Sequence, residues 1–310
     1  MNTIEKKYLL PETIYEASRF AMENQEDFTF ISGGTDVWVN AFQGTQKKSC
    51  IIDLSKINEL KGIEIQGDFL RIGSAEILEE LKNNDLIKVH FPLLIEAALS
   101  VGSPLIRKTA TIGGNILCEN RCLYFNQSEW WRESVGYCLK CDGDICIATG
   151  GKNACFSELV SDTAPALITL NAKIEYVYNN QVVKVDLEEI YTGDGVYPRN
   201  LPKEAILLAI YLPLTKKINS SFFKLRERES MEFTSLTFAA TTDQNGNLKI
   251  ALSGVDPKPV VYSGSLNDDS EQILKKLVKA ARSVDNDMYS RVYRKEMIKV
   301  YLERALKELK

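Results

Sequence analysis

The chain has 310 residues, and 45% of them are hydrophobic, which is sufficient for one large domain or for two to three smaller domains with buried cores. Its 38 basic and 42 acidic residues give a formal charge of −4 without a long run of either sign, which argues against nucleic acid as a main partner. No run of about 18 consecutive apolar residues occurs, and none follows the charged N-terminus, so we expect a soluble cytoplasmic protein without a membrane span.

The first 54 residues predict a helix and two buried strands around a glycine turn. Apolar residues at helical spacing fill 11–24, and a β-prone run at 28–31 enters the turn 32–36. A helix over 37–42 and a strand over 50–54 complete the unit. In such a unit a strand leads into a phosphate-binding loop at a helix N-terminus. A Gly-Gly pair alone more often serves backbone geometry, and the turn matches neither the Rossmann nor the P-loop pattern.

The next segment predicts a β-hairpin and two helices. Apolar residues alternate between 63 and 72 on both sides of a glycine turn. Ser74 is placed to cap one helix with an apolar face, and Pro92 starts another. His90 lies between them and is the sole histidine, so we interpret it as structural. The sequence therefore gives little support for Ser/His/Asp or Cys/His catalysis.

The cysteines are concentrated in one stretch that follows a second run of small residues, 111–115. Six of the seven lie within 38 residues: Cys118, Cys122, Cys138, Cys141, Cys146 and Cys155. The odd number of cysteines and their clustering argue against a disulfide framework and favour a reducing compartment. Several thiolates in one loop can hold a metal ion or an iron-sulfur cluster, and the C-x-x-C spacing at 138–141 is a familiar ligand pair. Ordinary buried or surface cysteines are the alternative.

The rest of the chain mixes strands and helices without strict βαβ alternation. In chain order it predicts a helix at 161–170, a hairpin at 174–185, a strand at 205–212, strands near 222–225, 235–241 and 248–252, and final helices around 273–278 and 292–302. The polar connector 213–221 is the expected domain boundary. This pattern predicts an α+β fold with a largely antiparallel sheet.

The two glycine stretches together, 31–36 and 106–115, resemble the paired FAD motifs in flavin subunits of the molybdenum hydroxylase (xanthine dehydrogenase) family. Residues 161–167, 223–229 and 293–294 are similar to later landmarks of the same family. The resemblance implies a two-lobed PCMH-type FAD-binding domain over 1–213, with lobes at about 1–57 and 58–213. It further implies a small C-terminal α+β domain over 222–310, with a three-stranded sheet and helices.

The resemblance also implies the residues that contact FAD. They are Phe30, Ile31, Ser32, Gly33, Gly34, Thr35, Asp36, Thr111, Ile112, Gly113, Gly114, Asn115, Leu123, Asp162 and Lys224. The proposal is physically coherent, because clustered backbone N–H groups can bind a pyrophosphate without a lysine.

About 40 residues, 116–158, separate the second glycine stretch from the Ser-Asp motif, which most flavin subunits of the family reach directly. They resemble the insertion that holds an extra 4Fe-4S cluster in flavin subunits of the 4-hydroxybenzoyl-CoA reductase type. The resemblance implies the ligands Cys122, Cys138, Cys146 and Cys155. It leaves Cys118 and Cys141 as additional cysteines.

The function that the resemblance implies is electron transfer, with no catalytic residue for an organic substrate. Implied partners are a molybdopterin-binding large subunit and a 2Fe-2S small subunit, in a dimer of heterotrimers. Electrons from a ferredoxin would pass through 4Fe-4S, FAD and 2Fe-2S to molybdenum, where an aromatic hydroxyl is removed. The alternative is the flavin subunit of an oxidative xanthine or aldehyde dehydrogenase-type enzyme, which passes electrons outward to an acceptor.

Two hypotheses from other classes also fit parts of the sequence. A flavoenzyme of the vanillyl-alcohol oxidase type would use a related FAD fold and act directly on its substrate. A zinc-binding interaction module would use the same cysteines structurally.

Overall fold

The structure is a computed structural model that describes residues 6–25, 27–214 and 218–310. The described residues form three β-sheets of three, five and four strands. Residues 1–5 of the charged N-terminus and 215–217 of the predicted connector lie outside the described part. None of the helices in the described part combines the length and the apolar character needed to span a membrane.

The N-terminal unit is a parallel three-stranded sheet with two helices. Its elements are β1 (Lys7–Leu9), α1 (Ile14–Glu23), β2 (Phe28–Ile31), α2 (Val37–Phe42) and β3 (Cys50–Asp53), and the strand order is β1-β3-β2. Thr13 caps α1 because its hydroxyl accepts a hydrogen bond from the Glu16 N–H at 3.2 Å. Ala17 and Ala21 are fully buried, and their small side chains let α1 pack closely on the sheet. The predicted helix and strands are confirmed, whereas the short strand β1 was not predicted.

The middle unit is a five-stranded antiparallel sheet with helices. Its strands are β4 (Ile63–Gln66), β5 (Phe69–Gly73), β6 (Lys173–Tyr178), β7 (Gln181–Asp186) and β8 (Ile206–Pro213), in the order β4-β5-β8-β6-β7. Its helices are α3 (Asp85–His90), α4 (Pro92–Leu99), α5 (Pro104–Arg107), α6 (Ile112–Ile116), α7 (Glu129–Val135) and α8 (Thr163–Thr169). Both predicted hairpins are confirmed, and α8 packs against α4 on one side and the C-terminal sheet on the other.

The prediction of a helix that starts at Ser74 is wrong. Residues 74–80 form turns, and only Leu81–Asn83 makes a single 3-10 turn. The backbone N–H groups of this segment bind neighbouring segments instead: Ser74 N–H donates to Leu208 O at 3.0 Å, and Leu78 N–H to Ala110 O at 2.9 Å. Tertiary hydrogen bonds therefore replace the helical ones, although the apolar residues are buried as expected.

The C-terminal unit is a four-stranded antiparallel sheet covered by two helices. Its elements are β9 (Asn219–Leu225), β10 (Leu236–Thr242), β11 (Asn247–Ser253), β12 (Val260–Ser265), α9 (Ser270–Ala280) and α10 (Arg291–Glu308). The expectation of three strands is corrected by β12, which pairs with β11 from Val260 to Ser265. The sequence Ser-Gly-Ser at the end of β12 is typical of a turn. In the structure, however, pairing with β11 satisfies the backbone hydrogen-bonding groups of this segment.

The cysteine-rich stretch, residues 116–158, contains little regular structure beyond α7 and one 3-10 turn at Leu139–Cys141. It is anchored by isolated bridges, in which Arg121 pairs with Glu158 and Cys138 with Ile145. Its two ends therefore lie beside each other, next to α6 and α8.

Candidate functional site

A cleft of about 410 Å³ lies where segments from all three units meet, and its volume falls within the usual range for ligand pockets. The first turn, residues 32–36, forms one wall together with Phe30 and Ile31. Residues 110–111, 113–115 and Asp162 form a further part of the wall, and the lip, residues 231–233, borders the cleft from the C-terminal unit.

The first turn offers backbone donors to an anion. Within the described part of the chain, the N–H groups of Gly33, Gly34 and Thr35 donate no hydrogen bond. Gly34 has a φ of +72°, and a Cβ on Gly33 would lie 1.9 Å from the Thr109 carbonyl oxygen. The turn thus requires glycine at both positions, and its unused N–H groups form the kind of nest that binds phosphate oxygens.

The glycines of the second stretch, Gly113 and Gly114, lie in the short helix α6 and have a different role. Thr111 caps it, accepting a hydrogen bond from Gly114 N–H at 3.1 Å, while Gly113 N–H donates to Ser74 O at 2.9 Å. A Cβ on Gly113 would lie 2.7 Å from the same oxygen. These N–H groups are therefore occupied within the protein, and Gly113 serves close packing. Of the two glycine stretches, the first turn is therefore the one with N–H groups left to bind an anion.

Asn115 ties α6 to the start of α8. Its Oδ1 accepts hydrogen bonds from Ser161 Oγ at 2.8 Å and from the hydroxyl and N–H of Thr163 at 2.6 and 3.1 Å. One side-chain oxygen thus fixes two parts of the cleft wall relative to each other.

Asp162 and Lys224 form a buried ion pair behind the cleft, with Nζ 2.7 Å from Oδ2 and side chains 4% and 3% exposed. Burial raises the pKa of Asp162, although the Lys224 ammonium opposes this effect. Lys224 Nζ also donates to Ser100 O at 2.9 Å and to Glu232 O at 3.2 Å, so its three donors are used inside the protein. Lys224 therefore holds the lip in position.

Four cysteines line a second, much smaller cavity of about 10 Å³, the cysteine pocket: Cys122, Cys138, Cys146 and Cys155. All seven cysteines of the chain are free. Burial raises the pKa of Cys122 to about 12 and also raises that of Cys155, whose Sγ accepts a hydrogen bond from Ser157 N–H at 3.5 Å. Interaction with the Cys141 thiol lowers the pKa of Cys138.

The cysteine pocket has the donor chemistry of an iron-sulfur site. No group of three or more His, Cys, Asp or Glu side chains in the described ranges is arranged to hold a metal ion. The cavity accommodates about one water molecule. The four thiols that line the cavity nevertheless supply the ligand type and number that an iron-sulfur cluster takes.

A five-residue bridge segment, residues 118–122, joins the two cavities. Cys118 lines the cleft and Cys122 lines the cysteine pocket. Four residues of chain span at most about 14 Å, so the two walls lie within that Cα–Cα distance of each other at these points.

Glu119 in the bridge segment is held by two cations, Lys140 and Arg199, each 2.9 Å from a carboxylate oxygen. Burial acts to raise the pKa of Glu119, but the two cations outweigh it and lower the pKa to about 2. The bridge segment therefore carries a fixed negative charge beside two fixed positive ones.

A protein-family model described as the FAD binding domain in molybdopterin dehydrogenase matches residues 3–215. The chain belongs to this family. As a member of the molybdopterin dehydrogenase flavoproteins it is an oxidoreductase subunit that binds FAD.

The relatives of this family member are subunits of larger enzymes. It is 28% identical over 255 residues to the xanthine dehydrogenase FAD-binding subunit of Escherichia coli O157:H7, covering 80% of this chain and 73% of the relative. It is 22% identical over 318 residues to the glyceraldehyde dehydrogenase medium chain of Sulfolobus acidocaldarius, covering 98% of each. The fold matches reconstituted CO dehydrogenase from Oligotropha carboxidovorans with a TM-score of 0.77 and 20% identity, over 98% of this chain and 97% of that one.

The structure brings together most of the residues that the sequence analysis assigned to FAD. The cleft is lined by Phe30, Ile31, Ser32, Gly33, Gly34, Thr35, Asp36, Thr111, Gly113, Gly114, Asn115 and Asp162. Ile112 is fully buried in the core, and Lys224 lies behind Asp162. Leu123 lies outside the lining, with its N–H donating to Asn286 O at 3.0 Å.

Several wall segments of this flavoprotein were missed by the sequence analysis: 101–102, 205–207 and the lip. The first two come from the middle unit and the lip from the C-terminal unit, and none of them carries a binding motif. The lip had one usable signal, because Met231 and Phe233 are apolar residues at the end of a charge-dense run, and both are more than half exposed.

Proposed function

We propose that the chain is an electron-transfer subunit that holds FAD in the cleft and a 4Fe-4S cluster in the cysteine pocket. The bridge segment is the observation that carries this proposal, since it supplies a wall residue to each cavity within about 14 Å of chain. When bound, the cluster supplies one-electron exchange and the flavin one- or two-electron exchange.

In this proposal the residues of the chain bind the two cofactors and hold them in position. The N–H groups of Gly33, Gly34 and Thr35 would hold the pyrophosphate, and Asn115 and Asp162 would fix the wall beside it. The four pocket cysteines would each supply one thiolate, with Ser157 N–H directed at Cys155 Sγ. Cys141 would act on the site only through its interaction with the Cys138 thiol.

The assembly that we propose contains a molybdopterin-binding large subunit and a 2Fe-2S small subunit, as a cytoplasmic dimer of heterotrimers. The names of the relatives, which are medium chains and FAD-binding subunits, support a multi-subunit enzyme. We assign the FAD-binding domain to residues 1–213, with lobes at about 1–57 and 58–213 and the cluster insertion at 116–158, and the C-terminal domain to 222–310.

For the direction of electron flow we propose the reductive one of a 4-hydroxybenzoyl-CoA reductase-like complex. Electrons from a ferredoxin would enter at the cysteine pocket and leave from the cleft toward the molybdenum subunit, where an aromatic hydroxyl is removed. The cysteine pocket supports this direction because it gives one-electron donors an entry beside the cleft. The relatives named as dehydrogenases favour the opposite, oxidative direction as the second candidate.

Anaerobic purification of the full chain tests the cofactor content. We expect a brown protein with about one FAD and about four irons per chain. In excess FAD, Cys146→Ser should lose iron and keep flavin, whereas the matched control Cys141→Ser should keep both. A yellow protein without iron would contradict the assignment of the cluster, and a colourless zinc protein would contradict the whole proposal. Loss of iron in Cys141→Ser alone would contradict the ligand set.

A further inference from the structure

We infer that Arg121 is a positioning residue that makes the affinity for FAD depend on occupancy of the cysteine pocket. This inference rests on the proposed function and goes beyond it, because it assigns a thermodynamic coupling between the two sites to one side chain of the bridge segment.

Arg121 contacts two walls of the cleft from the cysteine-rich stretch. Its side chain is largely buried, its Nη2 donates to Asp36 Oδ1, and its guanidinium carbon lies 4.6 Å from the centre of the Phe233 ring. Asp36 belongs to the first turn and Phe233 to the lip, and both line the cleft. One guanidinium thus joins the turn that binds phosphate to the lip on the C-terminal unit by an ion pair and a cation–π contact.

The backbone of Arg121 is fixed to the other end of the cysteine-rich stretch. Its N–H donates to Glu158 O at 2.9 Å, and Glu158 N–H donates to Arg121 O at 2.7 Å. The next residue in the chain is Cys122, which lines the cysteine pocket. A displacement of Cys122 therefore acts directly on the residue that holds Asp36 and Phe233.

Asp36 is held mainly from the bridge segment. Its Oδ2 accepts hydrogen bonds from Glu119 N–H at 3.0 Å and from Asn40 Nδ2 at 3.2 Å, in addition to the ion pair of Oδ1 with Arg121. Arg121 Nε is buried and has no hydrogen-bond partner among the described residues. Two residues of the bridge segment, Glu119 and Arg121, thus help to set the position of the first turn.

Coupling requires that these contacts differ between the loaded and the unloaded pocket. Loading a cluster would bond the Cys122 sulfur, as a thiolate, to iron, so it changes both the restraint on the residue next to Arg121 and the charge beside it. A buried ion pair and a cation–π contact both depend on the position of the guanidinium, so the contacts of Arg121 respond to that change. By linkage, bound FAD strengthens cluster retention by the same factor.

The experiment measures FAD dissociation constants by flavin fluorescence on the full chain, with the cluster reconstituted and with the cluster removed by a chelator, under anaerobic conditions. For the unaltered chain we expect the two constants to differ by about tenfold, within the usual range of coupling between sites. Arg121→Gln should bind iron normally and bring the ratio close to one. Arg291→Gln is the matched control, because it breaks an exposed Arg–Asp pair on α10 and should leave the ratio unchanged.

Arg121→Lys gives a second reading, since lysine can keep the ion pair with Asp36 but lacks the planar group over Phe233. We expect an intermediate ratio. If the unaltered chain binds iron and gives a ratio of one, or if both Arg121 variants keep its ratio, the inference is overturned while the proposed function stands. If the chain binds no iron, the proposed function fails, and the inference fails with it.

Discussion

Removal of the Lys224 ammonium should destabilise the protein strongly, because Lys224 is paired with a carboxylate that water hardly reaches. The two side chains are 3% and 4% exposed, and Nζ lies 2.7 Å from Asp162 Oδ2. In Lys224→Met, Asp162 keeps only the hydrogen bond from Thr237 Oγ1 at 2.9 Å. Breaking a buried pair by removing one partner costs about 3–5 kcal/mol, so we expect the free energy of unfolding to fall by about that amount.

The loss should grow with pH. Burial already raises the pKa of Asp162 in the folded chain, and removal of Lys224 raises it further. A carboxyl whose pKa is higher in the folded than in the unfolded state binds more protons when folded, so stability is lost as the pH rises through that interval. Lys224→Met should therefore be least destabilised in mild acid, where Asp162 can accept a proton.

Urea unfolding followed by circular dichroism at two pH values measures both effects. The control is Lys173→Met, which breaks the exposed pair with Asp186 and should cost about 0–1 kcal/mol. The double variant Asp162→Asn, Lys224→Met should be more stable than Lys224→Met alone, because it leaves no buried unpaired charge. A loss below that of the control, or one that shrinks as the pH rises, would refute the reasoning.

Three further outcomes follow from the cleft. Gly33→Ala should weaken FAD binding by about tenfold or more in fluorescence titration, since its Cβ would meet the Thr109 carbonyl oxygen and displace the first turn; unchanged affinity would contradict the nest. Gly113→Ala should lower the free energy of unfolding by about 1–3 kcal/mol in urea, because its Cβ would crowd Ser74 O. Burial raises the pKa of Cys118 to about 12, so mass spectrometry should find it alkylated by iodoacetamide at pH 8 only after unfolding.

Local pattern was sufficient for elements whose hydrogen bonds are local. The helix Ile14–Glu23 and the hairpin Lys173–Asp186 satisfy their own backbone, and the sequence predicted both. The segment from Ser74 has the same kind of apolar spacing, but its N–H groups bind β8 and the chain before α6. The bonds of Ser74 to Leu208 and of Leu78 to Ala110 join residues more than 30 positions apart, and a local sequence pattern does not encode them.

In the candidate site, too, some features could be predicted from local sequence and others could not. Glycines with a steric requirement, such as Gly33, leave a signal in the sequence, and so do four cysteines in one stretch. The contact of Arg121 with Asp36 and Phe233 leaves none, because the three residues come from three separate parts of the chain. Lys224 was assigned to the flavin from motif similarity, whereas its ammonium is fully used inside the protein.

The central claim is that the cysteine pocket and the cleft form one electron path across residues 118–122. The direct measurement is stopped-flow reduction of bound FAD by a reduced ferredoxin, in the unaltered chain and in Cys146→Ser saturated with FAD. Our account predicts that the flavin of the unaltered chain is reduced rapidly and that of Cys146→Ser much more slowly, with Cys141→Ser close to the unaltered chain. Equal rates in the unaltered chain and Cys146→Ser would contradict it.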